Sequence, residues 1–157
     1  PDPVVVIHSI ALLQATGTLP DDAATAKPPG IGRIVQPGSR CTLVTYGPAV
    51  EVCQAAVADL DVELIDLCWL APWPRPLVLN SVAKTSRLLV VHDAVEAGGW
   101  GSEIVATIAS EGLWHLDAPP RRLGGHAEPM PVSRSQWETL LPNISSVRKA
   151  VQALLEF

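Results

Sequence analysis

The stretch VAKTSRLLVVHDAVEAGGWGSEI, residues 82–104, decides the fold class of this chain. Its apolar run RLLVVHD at residues 87–93 lacks polar alternation, which predicts a strand buried on both faces of a sheet. A glycine cluster follows, and the spacing of apolar residues over 101–113 predicts a helix. A strand, a tight loop and a helix in this order are typical of a parallel α/β sheet.

The same alternation of strands and helices continues along the chain. Further strands are predicted at residues 3–13, 40–47, 62–67 and 119–125, and further helices at 49–60, 76–85 and 145–156. Ser145 or Ser146 is the predicted cap of the last helix. The predicted fold class is therefore α/β, an open and mostly parallel sheet with right-handed crossovers and helices on both faces. A Pro- and Gly-rich segment predicts a domain boundary that divides the chain into residues 1–32 and 33–157.

Composition excludes several classes of protein. The chain has 157 residues, 48% of them hydrophobic, and a formal net charge of -5, which suits one domain with a sizeable core. No cluster of Lys and Arg could neutralise a nucleic-acid backbone, and no apolar run reaches the roughly 18 residues of a membrane helix. The first residues lack the basic region of a signal peptide. We interpret Cys41, Cys53 and Cys68 as reduced core thiols, because their spacing matches neither a metal site nor a disulfide framework.

The glycine cluster has the wrong spacing for a phosphate-binding loop. Gly98, Gly99 and Gly101 form GGxG rather than GxGxxG, and the acidic neighbours Asp93, Glu96 and Glu103 would repel a phosphate. We interpret the three glycines as structural, since they allow a helix and a strand to approach closely.

No constellation of residues predicts catalysis or metal binding. His92 and Asp93 are adjacent on a strand and so point to opposite faces, and no GxSxG motif supplies a serine. The four histidines have no metal-ligand spacing, and we interpret each as packed or hydrogen-bonded: His8, His92, His115 and His126. The chain is therefore predicted to contain no catalytic, cofactor-binding or metal-binding residue.

Four segments in sequence carry a family resemblance: PGIGRIVQPGSRCTLVTYGPAVEVC, VELIDLCWLAPWP, VAKTSRLLVVHDAVEAGGWGSEI and LDAPPRRLGGHAEPMP. Together they resemble the C-terminal, transketolase C-terminal-like domain of the E1 β subunit of 2-oxo acid dehydrogenases, the pyruvate and branched-chain enzymes. The chain departs from the family pattern where Cys68 replaces an arginine, Pro74 an aspartate and Asp93 a glutamate, and where His8 stands in place of an acidic residue.

The resemblance implies a role within a thiamine-diphosphate-dependent enzyme. Such an E1 decarboxylates a 2-oxo acid oxidatively and passes the acyl group to the lipoyl arm of E2. It implies that residues 1–32 are the tail of a preceding pyrimidine-binding domain plus a linker, that thiamine diphosphate and magnesium are bound outside this fragment, and that the fragment alone is inactive. Two alternatives stay open, a stand-alone interaction module without turnover and the C-terminal domain of another transketolase-class thiamine enzyme.

The resemblance also implies partners and their contact residues. Asp117 of the LDAP segment and the terminal carboxylate on Phe157 are expected to bind the basic peripheral subunit-binding domain of E2. The E1 α subunit and a sister β subunit are the other expected partners, and Trp69 and Trp73, which flank a proline turn, are candidates for that interface. The expected location is the cytoplasm of a bacterium, or the mitochondrial matrix if the protein is eukaryotic.

Overall fold

The computed structural model describes Pro3, Val5, Ser9, Leu12–Gln14, Thr16 and residues 28–157. The strands of this part are β1 (Arg33–Gln36), β2 (Thr42–Thr45), β3 (Glu63–Asp66), β4 (Leu88–Val95) and β5 (Arg121–Gly125). The α-helices are α1 (Ala49–Val57), α2 (Arg75–Thr85), α3 (Gly101–Glu111), α4 (Arg134–Leu140) and α5 (Ile144–Leu155). The strand predicted at 3–13, with His8, lies mostly outside the described residues. The prediction is wrong at Leu12 and Leu13, which lie in the short 3-10 helix Leu12–Gln14.

The strands form one mixed sheet in the order β1-β3-β2-β4-β5. β2, β3, β4 and β5 are parallel to one another, whereas β1 pairs with β3 in the antiparallel direction at the sheet's edge. In the central strands Val44 lies opposite both Ile65 and Val90, and all three side chains are fully buried. The predicted fold class, an open and mostly parallel α/β sheet, is confirmed.

Helices cover both faces of the sheet and create two hydrophobic clusters. α1 and α5 cover one face, where their buried residues are Cys53, Ala56, Val57, Val147, Val151 and Leu154. α2 and α3 cover the other, where Val78, Val82, Ile104 and Ile108 are buried. Since β4 contributes Leu89 and Val91 to the first cluster and Leu88 and Val90 to the second, it is buried on both faces, as its apolar run predicted.

The edge strand β1 was not predicted, and tertiary contacts hold it. Arg33 Nε donates to Asp66 Oδ2 on β3 at 3.0 Å. The side-chain nitrogen of Gln36 lies within 3.2 Å of three backbone carbonyl oxygens, those of Val57, Leu60 and Val62. Because these partners are distant in sequence, no local pattern in this short segment indicates the strand.

The C-terminal helices also differ from the prediction. α4 was not predicted, and the cap of α5 is Asn143 rather than Ser145 or Ser146. Asn143 Oδ1 accepts from the Ser146 backbone N–H at 3.0 Å, and Ser146 Oγ accepts from the Asn143 backbone N–H at 2.9 Å. This reciprocal capping box satisfies donors that a helix start otherwise leaves unpaired, so α5 begins at Ile144.

The parallel strands give the domain two distinct edges. We define the carboxyl edge by the segments that follow β2 to β5, residues 46–48, 67–74, 96–100 and 126–133. The amino edge comprises the segments that precede the same strands, residues 37–41, 58–62, 86–87 and 112–120. The end of α5 also lies at the amino edge, because Arg87 Nε donates to the Leu154 carbonyl at 3.0 Å.

Candidate functional site

At the carboxyl edge, the glycine cluster packs directly against the side chain of His92. A Cβ atom added to Gly101 would lie 2.5 Å from His92 Nε2, and one added to Gly99 would lie 2.5 Å from His92 Cε1. Only glycine allows so close an approach. Gly98 has a φ of +77°, a backbone conformation that also favours glycine. The predicted role, close approach of helix and strand, is confirmed for Gly99 and Gly101, whereas at Gly98 a Cβ would meet nothing within 4 Å and the φ alone favours glycine.

His92 is held as a packed core residue. Its side chain is fully buried, its Nδ1 lies 2.9 Å from the Ala94 carbonyl oxygen, and its ring stacks on Tyr46 with centroids 6.1 Å apart. Its Nε2 has no hydrogen-bond partner among the described residues. Asp93 is only partly buried, and burial raises the pKa of its carboxyl. That these two adjacent strand residues form no catalytic pair stays a prediction.

The start of α3 at the carboxyl edge has features that disfavour a phosphate group. The His92 ring packs against Gly99 and Gly101 there. Glu103 lies in the first turn of α3 and Glu96 in the preceding loop, where Arg122 pairs with Glu96 and donates to Ser102. The two carboxylates disfavour an anion at this helix N-terminus.

The cysteines differ in their environments. Cys41 and Cys53 are buried, and burial raises the pKa of each thiol to about 12, so both are inert core residues as predicted. Cys68 is exposed, and its interpretation as a core thiol is wrong. It lies just beyond β3 with a φ of +57°, in a turn where its backbone N–H donates to Asp66 Oδ1 at 3.0 Å. The turn directs the chain out of the sheet at this residue.

Residues 28–157 and the few described before them contain no group of three or more His, Cys, Asp or Glu that could hold a metal ion. None of the helices in the described part of the chain has the length and apolar character that a membrane crossing needs.

At the amino edge, the side chain of Asp117 is exposed while its backbone is fixed. The Asp117 backbone N–H donates to the Ser86 carbonyl at 2.9 Å, which ties the loop before β5 to the start of β4. The carboxylate forms no salt bridge with any described residue. The structure therefore leaves this carboxylate accessible to another molecule.

The end of α5 lies beside the same segment of the amino edge. Arg87, which follows Ser86, donates to the carbonyl of Leu154, and Phe157 lies three residues further on with 65% of its surface exposed. Of the residues predicted for partner binding, Asp117 is bonded to the Ser86 carbonyl through its backbone N–H, and Phe157 follows Leu154, whose carbonyl accepts from the Arg87 side chain. Their role in binding stays a prediction.

The two tryptophans predicted at a subunit interface are not equivalent. Trp69 is 37% exposed and adjoins Leu70, which is 38% exposed. Trp73 is partly buried and packs against the hydrophobic cluster beneath α2 and α3, so most of its surface serves the fold. Trp69 alone retains the exposure that an interface residue needs.

Trp114 is a candidate functional residue that was not predicted from the sequence. Its side chain is 93% exposed and lies three positions before Asp117, next to Leu113, which is 51% exposed. The signal in the sequence is the dipeptide Leu-Trp at the end of an amphipathic helix, where a loop residue has no core face to occupy.

An open apolar cleft is a second feature that the sequence did not predict. It lies between α1, α4 and α5 and has a volume of about 490 Å³. Its lining residues are Val52, Trp137, Leu141, Pro142, Asn143, Ile144 and Ser145. The connection 141–143 and the start of α5 form most of its wall, and α4, which was not predicted, contributes Trp137.

Comparisons with known proteins agree with this architecture. The family model described as transketolase, C-terminal domain matches residues 30–147. A split gene transketolase, solved as an inactive β4 tetramer, superimposes with a TM-score of 0.71 over 83% of this chain and 44% of that chain. At 22% identity this likeness shows the fold alone.

Relatives in sequence are β subunits of dehydrogenases. The mitochondrial 2-oxoisovalerate dehydrogenase subunit beta of Chaetomium thermophilum is 37% identical over 92% of this chain and 32% of the relative. The pyruvate dehydrogenase E1 component subunit beta of Rhizobium meliloti is 32% identical over 98% of this chain and 35% of the relative. The chain thus spans about a third of the length of these two relatives.

Proposed function

The chain belongs to the transketolase C-terminal domain family, and we propose that it is the C-terminal domain of an E1 β subunit of a 2-oxo acid dehydrogenase. Support comes from its similarity, over nearly its whole length, to β subunits of both pyruvate and 2-oxoisovalerate dehydrogenases. In this proposal the intact enzyme decarboxylates pyruvate or a branched-chain 2-oxo acid and transfers the acyl group to E2. This domain contributes subunit assembly and E2 docking.

In this proposal, other parts of the enzyme bind the cofactor. Transketolase-like enzymes, the class of this family, depend on thiamine diphosphate. At the carboxyl edge His92 packs against Gly99 and Gly101, and Glu103 in the first turn of α3 disfavours a phosphate at that helix N-terminus. We therefore assign thiamine diphosphate and magnesium to the α subunit and to a preceding pyrimidine-binding domain, and we assign this domain no catalytic step.

The single observation that supports docking is the state of Asp117. An exposed carboxylate without an ion pair is available to accept hydrogen bonds from a partner. Because its backbone is already fixed, binding costs less conformational entropy. A charge-assisted hydrogen bond from an arginine or lysine to such a carboxylate contributes about 1.5–3 kcal/mol. A basic peripheral subunit-binding domain of E2 is the partner that suits it, and the carboxylate of Phe157 would be its second contact.

Asp117→Asn is the direct test, because it keeps the shape of the side chain and removes its charge. We expect the dissociation constant for the E2 peripheral subunit-binding domain to rise about tenfold or more in calorimetric titration. Glu128→Gln is the matched control, since it removes an exposed carboxylate at the carboxyl edge instead. Melting temperatures of both variants should stay within about 2 °C of the unsubstituted chain, because both side chains are exposed.

Two outcomes would contradict E2 docking at the amino edge. One is an unchanged dissociation constant in Asp117→Asn, and the other is an equal loss of affinity in Glu128→Gln. The second outcome would indicate that overall negative charge, rather than Asp117, attracts the basic domain.

Subunit assembly is the other part of the proposal. Trp69 and Leu70 expose apolar surface at the carboxyl edge, on the face of the molecule opposite to the docking residues. Buried aromatic residues are enriched at protein interfaces. We assign this patch to contact with an E1 α subunit or a sister β subunit, in a bacterial cytoplasm or a mitochondrial matrix.

A further inference from the structure

The most exposed large aromatic side chain among the described residues lies beside the docking carboxylate. Trp114 is 93% exposed, and its neighbour Leu113 is 51% exposed. An indole in water leaves a large apolar surface hydrated, and its burial by a partner would be favourable. The chain has only five tryptophans, one phenylalanine and one tyrosine. A tryptophan that is almost fully exposed therefore indicates a surface that a partner covers.

The loop that carries Trp114 has a fixed backbone. The Gly112 N–H donates to the Ile108 carbonyl at 2.8 Å, and the Leu116 N–H donates to the Leu113 carbonyl at 3.1 Å. With the bond from Asp117 to Ser86, these contacts hold the turn at both ends. Trp114 and Asp117, both exposed, therefore lie three residues apart on a loop that has little entropy to lose on binding.

We propose that Trp114 is the aromatic anchor of the docking surface and that it binds the same partner arginine as Asp117. This inference rests on the proposed docking function of Asp117 and adds the residue that gives it an apolar contact. A guanidinium group can stack on the face of an indole while its N–H groups donate to a neighbouring carboxylate. The partner that fits is a basic protein module with an exposed arginine.

The charges of the surrounding surface favour a basic partner. At the end of α5 Glu156 is exposed and forms no salt bridge with the described residues. Lys84 is paired with Glu63, so its charge is balanced within the chain. Arg87 donates to the Leu154 carbonyl, and Arg40 and Arg121 are exposed at the same edge, so the charge of this edge is mixed. The features that favour a basic partner are therefore the two carboxylates without a salt bridge, on Asp117 and Glu156, and the net charge of -5 of the whole chain.

Trp114→Ala tests the anchor in a chain that should keep its fold. We expect the dissociation constant for the E2 peripheral subunit-binding domain to rise about tenfold, the scale of a desolvated aromatic contact with a cation. Trp137→Ala is the matched control, because Trp137 is 41% exposed and lies on α4, where its Nε1 donates to the Pro131 carbonyl of the carboxyl edge. It should leave the affinity unchanged. The melting temperature of Trp114→Ala should stay within about 2 °C of the unsubstituted chain.

The variants separate this inference from the function on which it rests. If Asp117→Asn weakens binding and Trp114→Ala does not, the anchor is refuted and docking at Asp117 stands. If the unsubstituted chain fails to bind the module, or if neither variant changes the affinity, both the anchor and docking at Asp117 are refuted. In the double variant a shared arginine predicts a loss smaller than the product of the two single losses. A loss equal to that product would refute the shared arginine.

Discussion

The two edges of the sheet differ in what they expose. In open α/β sheets, ligands usually bind beyond the carboxyl ends of the strands. Here the carboxyl edge has a strand, a glycine loop and a helix in the order of such a site, yet the buried His92 ring fills the space between them. The amino edge has no such motif, but it exposes Trp114 and the unpaired carboxylate of Asp117 on a fixed loop.

The difference between the two edges distinguishes a motif that packs the fold from a surface that is available for binding. Glycines that approach a buried side chain serve the stability of the fold, and substitutions there should lower the free energy of unfolding. Exposed groups on a hydrogen-bonded loop contribute little to stability, and substitutions there should change the affinity for a partner. Substitutions at the two edges test whether stability and affinity separate in this way.

The largest effect is expected at Gly101. In Gly101→Ala the new methyl group would lie 2.5 Å from Nε2 and 2.7 Å from Cδ2 of a ring that stacks on Tyr46 and cannot retreat. We expect overpacking to cost about 2–3 kcal/mol, which lowers the melting temperature by about 6–10 °C. Thermal denaturation followed by circular dichroism measures the change.

Gly98→Ala is the control for Gly101→Ala. A Cβ at Gly98 meets nothing within 4 Å, so only its φ of +77° makes alanine unfavourable, at about 1 kcal/mol. Equal losses of stability in the two variants would show that backbone conformation, rather than close packing on His92, requires these glycines. In either folded variant the affinity for the E2 module should be unchanged. A large loss of affinity would contradict the claim that the glycines at the carboxyl edge affect stability but not binding.

A smaller effect is expected where α5 is held against α1. Arg148 donates to both carboxylate oxygens of Asp59, at 2.6 and 2.8 Å, and this pairing lowers the pKa of Asp59 from 3.8 to about 2. Between these two values the folded protein binds fewer protons at Asp59 than the unfolded chain does. The pair therefore stabilises the fold above about pH 4, and its contribution is lost as the pH falls towards about 2.

Asp59→Asn should remove this acid-dependent contribution. We expect its melting temperature to be about 2 °C below that of the unsubstituted chain at pH 6, because exposed ion pairs are screened by solvent. The difference should disappear near pH 2. Glu51→Gln, which removes an exposed carboxylate at the start of α1, is the control. A constant difference from pH 6 to pH 2 would contradict the assignment to this ion pair.

The central part of the fold could be predicted from sequence because its signals are local. The apolar run of β4 indicates a strand buried on both faces, and the observed β2, β3 and β4 lie within the predicted ranges or within two residues of them. The glycine spacing and the acidic neighbours of the loop after β4 excluded a phosphate site on the same local grounds. The resemblance of the LDAP segment pointed to Asp117.

The features that were not predicted depend on contacts between distant segments. β1 is held by Asp66 and by carbonyl groups that Gln36 reaches across the fold. Asn143 was passed over as the cap of α5 because two serines follow it and each is an equally good capping residue. The exposure of Trp114 and the burial of Trp73 follow from where their loops lie, which residue type alone does not indicate.

Hydrogen–deuterium exchange of the chain with and without the E2 peripheral subunit-binding domain tests docking at the amino edge most directly. The slowed amides should be those of residues 86–87, 112–118 and the end of α5, while residues 96–101 and 126–131 should exchange as in the free chain. Slowed exchange confined to residues 96–101 and 126–131, with the amino edge unchanged, would contradict docking at Asp117.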